Sequence, residues 1–516
     1  MLMVLKVKNF FLLWKYYFHN KKNFKKTSNG DSIVLVENNA LCDSHIVYSY
    51  LSNILSQKYN SKIYSYNPNF FNNTFRKLIF YIKIFILFSY RYIYFSFGVE
   101  KNIIPKHNNK NEIEKKFNEV KNKLKSNNDI YDINLKDVNV GDLVYDGFLR
   151  KYDLPTININ SKIFEEYLRD FIDLFYFWFD FFSNHKISSV IASHTVYEFG
   201  IVLRLAIKNK IKAYSAGSFF IFSHDEKNNS IFDMPYFSEE FQKLDEKTRI
   251  KSILQGKKFI ERKFAGEKTI ENKVTALPGE SPLKTKNFTD KVLRINKKKK
   301  ILIAAHHFSD APNAFGRNIF NDFYDWVDFL GKKSSNSEYD WYIKFHPLEY
   351  DSNKDTIKFF LKKYPTLKLI DKNITHSQLI SEKINVILTV YGTIGLEYAY
   401  FNIPVINAGS ANPHCSYNFN YHAKNIDDYN YAIDNFEKIK LNYDKKYIYE
   451  YFYMRYLHGF YLFPDELEND YGNIDYQSCL IYRKWMNIHN EKLNIKLRDH
   501  IKSFVDSSSF RCVKIK

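Results

Sequence analysis

The segment 385–409, NVILTVYGTIGLEYAYFNIPVINAG, constrains the fold of this chain more than any other part of the sequence. It opens with the apolar run 386–390, which has the length of a buried parallel strand. A tight turn at Gly392 and Thr393 follows, then a helical pattern at 394–401 and a second short apolar strand. A strand–turn–helix–strand unit of this kind predicts a parallel sheet covered by helices.

The turn between this strand and its helix has the chemistry of a nucleotide site. In an open α/β sheet, ligands bind beyond the carboxyl ends of strands, where helix N-termini present free N–H groups to anions. Gly392 allows close approach of the backbone, and Thr393 can either cap the helix or bond a phosphate. Glu397 lies on the same helix face as Thr393. The pattern predicts a diphosphate at the turn and ribose hydroxyls on Glu397; the alternative is an ordinary βαβ unit with a solvated glutamate.

A second motif lies upstream, where YIKFHPLE spans 342–349. Apolar residues lead to Lys344, and Pro347 ends the strand after His346 because proline breaks the hydrogen-bonded ladder. Lys344 and His346 point to opposite faces of an ideal strand, so only one is expected at a phosphate, and the turn position favours His346. A donor there would stabilise the charge on a departing nucleotide. The alternative is a structural histidine before a proline.

At these two motifs the chain resembles GT-B glycosyltransferases, and most closely the bacterial transferases of capsule and lipopolysaccharide biosynthesis. The shared features are a G-[ST]-x-x-x-E turn before P-V-I and a K-x-H-P element, which also resembles bacterial polysialyltransferases and teichoic acid polyol-phosphate transferases. The block GDLVYDGFLR at 141–150 is similar to a further capsule-transferase segment. The polyol-phosphate transferases have a Ser-Ser pair where this chain has Gly392-Thr393. The resemblance implies an α/β fold of two Rossmann-like domains facing a cleft, with C-terminal helices.

Two further loops are candidates for the donor site. A short apolar strand leads into HHFSDAPN at 306–313, where the resembled families place donor or acceptor contacts, and DKNITHSQ at 371–378 suits a base or ribose contact. For His376 a structural role is the alternative. Adjacent histidines without ligand-spaced Cys or carboxylates disfavour zinc, and no D-x-D follows a strand, so neither a metal nor a cofactor is expected. The expected donor-nucleotide residues are Lys344, His346, His376, Ser377, Gly392, Thr393, Glu397, His306 and Asn313.

The first half of the chain is predicted to form another nucleotide-type domain, beginning with a strand at 32–37. In GT-B enzymes the acceptor generally binds this half, so the general base is sought here. It must be a carboxylate or histidine within hydrogen-bond reach of the acceptor hydroxyl. Asp146 is the first candidate, Glu37 the second and His194 the third, and each has a helix cap or loop contact as its alternative. Together with His346 as the leaving-group donor, Asp146 and Glu37 are the expected catalytic residues.

The length of 516 residues and the apolar content of 45% agree with more than one core. We expect a basic aromatic segment at 1–30, an acceptor domain at 31–265, a linker at 266–296, a donor domain at 297–445 and a helical tail at 446–516 that packs back on the first domain. The four cysteines are scattered without a C-x-x-C, which favours free thiols in a reducing compartment.

The formal charge of +19 is partly placed in the first 30 residues, which hold seven lysines and no acidic residue among aromatic side chains. This segment lacks the apolar run and cleavage site of a signal peptide. It predicts contact with an anionic membrane face; a solvated or partly packed arm is the alternative. Lys83 and Arg91 interrupt the mostly apolar stretch 78–97, so an interfacial or buried helix is expected there rather than a spanning one.

The sequence therefore predicts a bacterial transferase that moves a sugar from a nucleotide-sugar donor to a glycan or lipid-linked glycan acceptor of a cell-surface polysaccharide. Its expected location is the cytoplasm, peripheral on the inner face of the cytoplasmic membrane. The alternatives are a CDP-glycerol-type polyol-phosphate transferase and a catalytically silent assembly protein. Nucleic acid is not an expected partner, because the positive charge is diffuse beyond residue 30 and no nucleic-acid-binding motif appears.

Overall fold

A computed structural model describes most of the chain. Three of the predicted features lie outside the described residues: His346, the linker residues 266–289, and the part of the apolar stretch that spans 78–89. The described residues are 2–24, 28, 30–70, 90–217, 220–229, 231–265, 290–345, 351–459 and 480–514.

The strands of the described residues form two six-stranded sheets and one short hairpin. The first sheet and the hairpin contain β1 (Ser32–Glu37), β2 (Ser61–Tyr66), β3 (Val99–Ile103), β4 (Asn134–Leu135), β5 (Val138–Asn139), β6 (Ile187–Ala192), β7 (Lys212–Gly217) and β8 (Phe220–His224). The second sheet contains β9 (Lys300–Ala304), β10 (Asp340–Lys344), β11 (Leu367–Leu369), β12 (Val386–Thr389), β13 (Val405–Asn407) and β14 (Tyr421–His422).

The two sheets have the same strand order. The first has the order β3-β2-β1-β6-β7-β8, in which only β8 runs antiparallel to its neighbour, and the second has the order β11-β10-β9-β12-β13-β14 with every pairing parallel. Numbered within each sheet, both orders are 3-2-1-4-5-6, the order of the dinucleotide-binding Rossmann fold. The predicted fold class, two Rossmann-like domains in the GT-B arrangement with helices at the C-terminus, is confirmed.

Helices cover both faces of each sheet. In β1 the side chains alternate between two cores: Ile33 and Leu35 face one, and Val34 and Val36 face the other. The helices of the described residues are α1 (Leu2–Asn23), α2 (Cys42–Tyr59), α3 (Ile93–Ser96), α4 (Lys110–Lys121), α5 (Gly141–Tyr152), α6 (Lys162–Asn184), α7 (Gly200–Lys208), α8 (Phe237–Gln242), α9 (Glu246–Phe264), α10 (Phe323–Ser335), α11 (Asp351–Lys363), α12 (His376–Ser381), α13 (Ile394–Tyr400), α14 (Ile426–Asp434), α15 (Lys445–Phe452), α16 (Leu480–Ile488) and α17 (Glu491–Asp506).

The two segments that connect the domains touch each other. Helix α9 follows the first sheet, α15 follows the second, and the two pack side by side. A Cβ placed on Gly256 of α9 would lie 2.1 Å from the carbonyl oxygen of Tyr449 in α15, so only glycine permits this approach.

The chain then returns to the first domain. Helices α16 and α17 pack against α2, and the last described residues run beside β8. There Phe510 accepts a hydrogen bond from the N–H of Ser223 at 2.8 Å, and the N–H of Cys512 donates to Ile221 at 2.9 Å.

The N-terminal segment is a helix whose second half belongs to the first core. Tyr16, Tyr17 and Phe24 are buried, and the Tyr16 ring stacks on Tyr482 of α16 with centroids 4.1 Å apart. The alternative of a partly packed arm therefore describes residues 16–24. None of the helices in the described ranges is both long and apolar enough to cross a membrane.

Candidate active site at the facing sheet edges

Helix α5 joins the first domain to the second through buried polar side chains. The Tyr145 hydroxyl donates to Asp322 Oδ2 at 2.6 Å. The next residue, Asp146, accepts two hydrogen bonds from Asn313, one from Nδ2 at 2.7 Å and one from the backbone N–H at 3.3 Å. Tyr145 and Asp146 are both buried in α5, and each bonds a residue of the second domain, so the block 141–150 is a domain-contact helix. Asp146 and Asn313, predicted separately for the acceptor and donor sides, are brought into direct contact.

Further contacts between the domains involve the loop after β9 and the segment that leads into α10. The Tyr131 hydroxyl donates to the carbonyl oxygen of Asn321 at 2.6 Å and is 3.2 Å from Asn313 Nδ2. The Tyr197 hydroxyl donates to Asp310 at 3.1 Å, and Ser309 Oγ donates to Asp153 at 2.7 Å. The loop after β9 is thus held against the first domain along much of its length.

Two predicted acids of the first domain are fully buried. Asp146 is 1% exposed, and this burial raises its pKa well above the usual range although the bonds from Asn313 oppose the shift. Glu37, at the end of β1, accepts from the N–H and the Oγ of Ser193, both at 2.7 Å. Burial raises the pKa of Glu37 to about 7, opposed by these two bonds. A carboxyl group with a pKa near neutral is suited to proton transfer at neutral pH.

His194, the third candidate, occupies a more apolar environment at the end of β6. Its ring lies 5.9 Å from Phe199 and 5.6 Å from Phe232, and burial lowers its pKa. The three candidates therefore stand at different points: Asp146 faces the second domain, Glu37 bonds within its own sheet edge, and His194 packs against rings.

His306 lies where the strand order of the second sheet reverses, between the ends of β9 and β12. Its Nε2 lies 3.3 Å from the N–H of Val390, 3.4 Å from the N–H of Tyr391 and 3.2 Å from Thr389 Oγ1. Because backbone N–H groups only donate, Nε2 accepts and the proton of a neutral ring sits on Nδ1. The ring also stacks on Phe323 at 4.6 Å. His306 thus fixes the turn that precedes α13.

The turn itself matches its predicted form. The N–H of Gly392 donates to Thr389 Oγ1 at 3.3 Å, and a Cβ on Gly392 would come within 2.8 Å of the same oxygen. Thr393 is exposed and makes no side-chain capping bond to α13. Of its two predicted roles, helix capping is therefore wrong, and its hydroxyl faces solvent.

Lys344 and His376 come together at the ends of β10 and β11. Lys344 Nζ donates to the carbonyl oxygen of Lys372 at 2.9 Å, and burial lowers its pKa to about 8. His376 bonds the hydroxyl of Tyr398 at 2.9 Å; burial, with the nearby Lys344 charge, lowers its pKa to about 3. Ser377 follows in the first turn of α12 and is partly exposed. This cluster supplies one cation and one neutral imidazole at this edge of the second sheet.

Glu397 is placed differently from its prediction. Its carboxylate is 3% exposed and forms an ion pair with Lys263 Nζ of α9 at 2.7 Å, and Lys263 is buried to the same extent. The expected solvated or ribose-facing carboxylate is instead the partner of a buried cation. The reason is tertiary: α9 packs on α13, and a buried charge requires a partner.

Sequence reasoning missed several of these residues. Tyr131, Tyr145 and Asp322 form the domain contact, yet a tyrosine and an aspartate in helical segments carry no local signal of it. Lys263 had no signal either, because its partner is distant in sequence. Tyr391 is the exception: it directly precedes the predicted Gly392, and its hydroxyl donates to Ala311 in the loop after β9 at 3.0 Å.

No protein-family model and no curated protein matches this chain. Several solved structures are similar to it over most of their length. A UDP-GlcNAc 2-epimerase from Neisseria meningitidis bound to UDP-GlcNAc is 12% identical, covering 82% of this chain and 95% of its own, with a TM-score of 0.22. A glycosyltransferase from Rickettsia africae is 10% identical, covering 89% and 100%, with a TM-score of 0.25. The wall teichoic acid polymerase TagF is 12% identical, covering 98% and 96%, with a TM-score of 0.17.

TM-scores this low carry no functional argument, and the fold assignment rests on the strand order of the two sheets. The fold places the chain in the class of GT-B-like proteins built from two Rossmann-like domains. What it does is argued from the site alone.

Proposed function

We propose that this protein is a metal-independent glycosyltransferase that moves a sugar from a nucleotide-sugar donor to a glycan or lipid-linked glycan of a bacterial surface polysaccharide, capsule or lipopolysaccharide. One observation carries the proposal: Asp146 of the first domain bonds Asn313 of the second at the meeting point of the two carboxyl edges. A buried acid thereby stands opposite a loop of the nucleotide-type domain.

The proposed roles follow from the two edges. Asp146, with Glu37 as the alternative, takes the proton of the acceptor hydroxyl as its oxygen bonds to the anomeric carbon of the donor sugar. The bond from that carbon to the diphosphate oxygen breaks, and the diphosphate leaves with the electron pair. Lys344 supplies positive charge at the donor edge, His306 holds the turn, and His346, outside the described residues, is proposed to donate to the leaving phosphate. Asn313 must release Asp146 for the hydroxyl to reach it, and the carboxyl group must first lose its own proton to solvent, because burial raises its pKa well above the usual range.

A thermal-shift screen against UDP-, GDP-, CMP- and CDP-linked compounds tests the donor class. We expect a nucleotide-sugar to raise the melting temperature, because a ligand that binds only the folded state stabilises it. Thr393→Glu places a negative charge at the exposed turn and should abolish the shift. Ser335→Glu, an exposed hydroxyl at the end of α10, is the matched control.

The outcomes separate the alternatives. A shift with CDP-glycerol and none with nucleotide-sugars would replace sugar transfer by polyol-phosphate transfer. No shift with any nucleotide would leave the catalytically silent assembly protein.

We further propose that the protein is cytoplasmic and binds the inner face of the cytoplasmic membrane through the outer face of α1. Phe11, Trp14 and Phe18 are 58%, 40% and 47% exposed, and their spacing puts them on one side of the helix. Lys15 and Lys21 are exposed beside them, and the first turn of α1 has no acidic residue. Exposed aromatic rings with flanking lysines suit an anionic membrane interface.

Vesicle flotation with phosphatidylglycerol-containing liposomes tests this contact. Trp14→Ser with Phe18→Ser should weaken binding several-fold, whereas Tyr431→Ser, which removes a 60% exposed ring from the second domain, should not. Deleting residues 1–30 is a poorer test, because it would uncover the core beneath Tyr16 and Phe24. Equal vesicle binding by the double variant and the parent would remove the proposed contact.

A further inference from the structure

A cavity of about 550 Å³ lies between the domains, beside the Asp146–Asn313 contact. The first domain supplies most of its wall, from the β4–β5 hairpin, the first turn of α5 and the end of α7. The second domain closes it with Gly316 and Arg317. This volume falls in the usual range of small-molecule sites, about 300–1,000 Å³.

The charges of the wall largely cancel within it. Arg204 donates to Asp142 Oδ1 at 2.6 Å, and Lys208 lies 3.8 Å from Asp137. Asp142 also occupies the first turn of α5, where an anion would otherwise be favoured. The site therefore does not suit a phosphate or another strong anion.

The cavity wall presents both donors and acceptors of hydrogen bonds. Carboxylates and amides accept hydrogen bonds and amides and cations donate them, while the apolar part of the lining consists of Val138, Ile207 and the ring of Tyr131. A ligand with many hydroxyl groups, each able to donate and accept, matches such a surface better than an apolar or charged one does.

The cavity is connected to the candidate base through one wall residue. Tyr131 lines the cavity, and its hydroxyl lies 3.2 Å from Asn313 Nδ2, which in turn donates to Asp146 at 2.7 Å. All three side chains are buried, so a glycan whose reacting hydroxyl is at Asp146 extends into the cavity only once Asn313 has released Asp146.

We propose that this cavity binds a neutral, hydroxyl-rich stretch of the acceptor glycan, at least one sugar unit away from the hydroxyl that reacts. The proposal rests on the proposed function, since it assigns a further part of the acceptor to the same cleft. It implies that acceptor length, and not only the terminal sugar, sets acceptor affinity.

Binding of neutral tetrasaccharides built from glucose, galactose, mannose or N-acetylglucosamine, with a hyaluronan tetrasaccharide as the anionic comparison, tests the proposal by saturation-transfer NMR on the full chain. Asn229→Trp fills the cavity from its loop, and Lys227→Trp, two residues away, exposed and outside the lining, is the control. We expect at least one neutral tetrasaccharide to bind, with at least tenfold weaker binding in Asn229→Trp and unchanged binding in Lys227→Trp. Arg317→Ala changes an exposed residue of the second domain, so it should weaken binding too and leave folding of the first domain intact.

The proposal is overturned if no neutral tetrasaccharide binds, if Asn229→Trp keeps the parental affinity, or if the anionic tetrasaccharide binds more tightly. The nucleotide thermal shift is measured on the same preparations. Nucleotide binding without glycan binding would overturn the glycan site in the cavity and leave the proposed transferase function standing. Glycan binding without nucleotide binding would support the glycan site and overturn the transferase function.

Discussion

The two sheets share one strand order, but their carboxyl edges carry opposite chemistry. The first edge places buried acids at the cleft, Glu37 and Asp146, and burial raises the pKa of both. The second edge places buried bases there, Lys344 and His376, and burial lowers the pKa of both. The comparison shows that topology fixes where a site lies, while the strand ends, loops and helices that meet at each edge decide its chemistry.

Burial favours the neutral form of the titratable side chains at both edges, although it raises the pKa at one and lowers it at the other. A desolvated acid holds its proton and a desolvated base loses it, because the charged form is disfavoured in both cases. Glu37, with a pKa of about 7, and Lys344, with a pKa of about 8, are therefore groups whose charge changes close to neutral pH.

The largest expected effect tests the acid edge. Asp146→Asn should lower turnover at saturating donor by about 10²–10⁴, the usual contribution of a general base. Asp153→Asn removes the acid of another domain contact, with Ser309, and should leave turnover nearly unchanged. Equal losses in both variants would assign the effect to domain contact rather than to proton transfer.

The exception to the comparison is Glu397, an acid of the second domain that pairs with Lys263. Glu397→Gln should lower the free energy of unfolding by about 3–5 kcal/mol, because it removes the carboxylate that pairs with the buried Lys263 ammonium group. Glu261→Gln, which breaks the exposed pair with Lys257, should cost no more than about 1 kcal/mol. Urea denaturation measures both. A stable Glu397→Gln protein with weakened donor binding would restore the ribose role first predicted for this residue.

Glu37 gives the acid edge a pH signature. Because its pKa is raised from 4.5 to about 7 in the folded protein, the folded state binds more protons between these values. Its contribution therefore lowers stability as pH rises through this range, by about 3 kcal/mol in all. Glu37→Gln should remove this pH dependence of the free energy of unfolding, measured by urea denaturation from pH 4 to pH 8. Glu100→Gln, at an exposed position, should leave it unchanged. Parallel pH curves for Glu37→Gln and the parent would contradict the raised pKa.

The smallest expected effect tests the base edge. If Lys344 attracts the donor diphosphate, donor affinity should fall as pH rises above about 8, where its ammonium group loses the proton. Lys344→Arg keeps its charge and should bind with little pH dependence, whereas Lys344→Met should bind weakly throughout. Titration of the donor by calorimetry at a series of pH values measures this. If donor affinity of the parent protein does not change with pH, Lys344 does not attract the donor, and its role is the structural hydrogen bond to Lys372.

The sequence predicts central strands better than edge strands. The strands β1, β9 and β12 lie in the middle of their sheets, so they are continuous apolar runs and were predicted. The edge strand β3, VEKNI, carries two exposed charged residues and so lacks the apolar run that predicts a strand. The antiparallel β8 depends on pairing with β7 and with the chain terminus, which no local pattern reveals.

The residues of the candidate site also divide into those that the sequence predicts and those that it does not. Residues that end strands or turns, such as Glu37, Lys344 and Gly392, follow from periodicity and resemblance. The pairings that hold Asp146 against Asn313, or Glu397 against Lys263, depend on how separate segments dock. They have no sequence signature, because each partner is chosen by tertiary packing.

The contact between α9 and α15 is a place where side-chain size alone sets the spacing of two helices. The segments that follow the two sheets meet where Gly256 lies against Tyr449, and a Cβ there would lie 2.1 Å from the Tyr449 carbonyl oxygen. A single methyl group, as in Gly256→Ala, should therefore force α9 and α15 apart without changing any residue of either sheet edge.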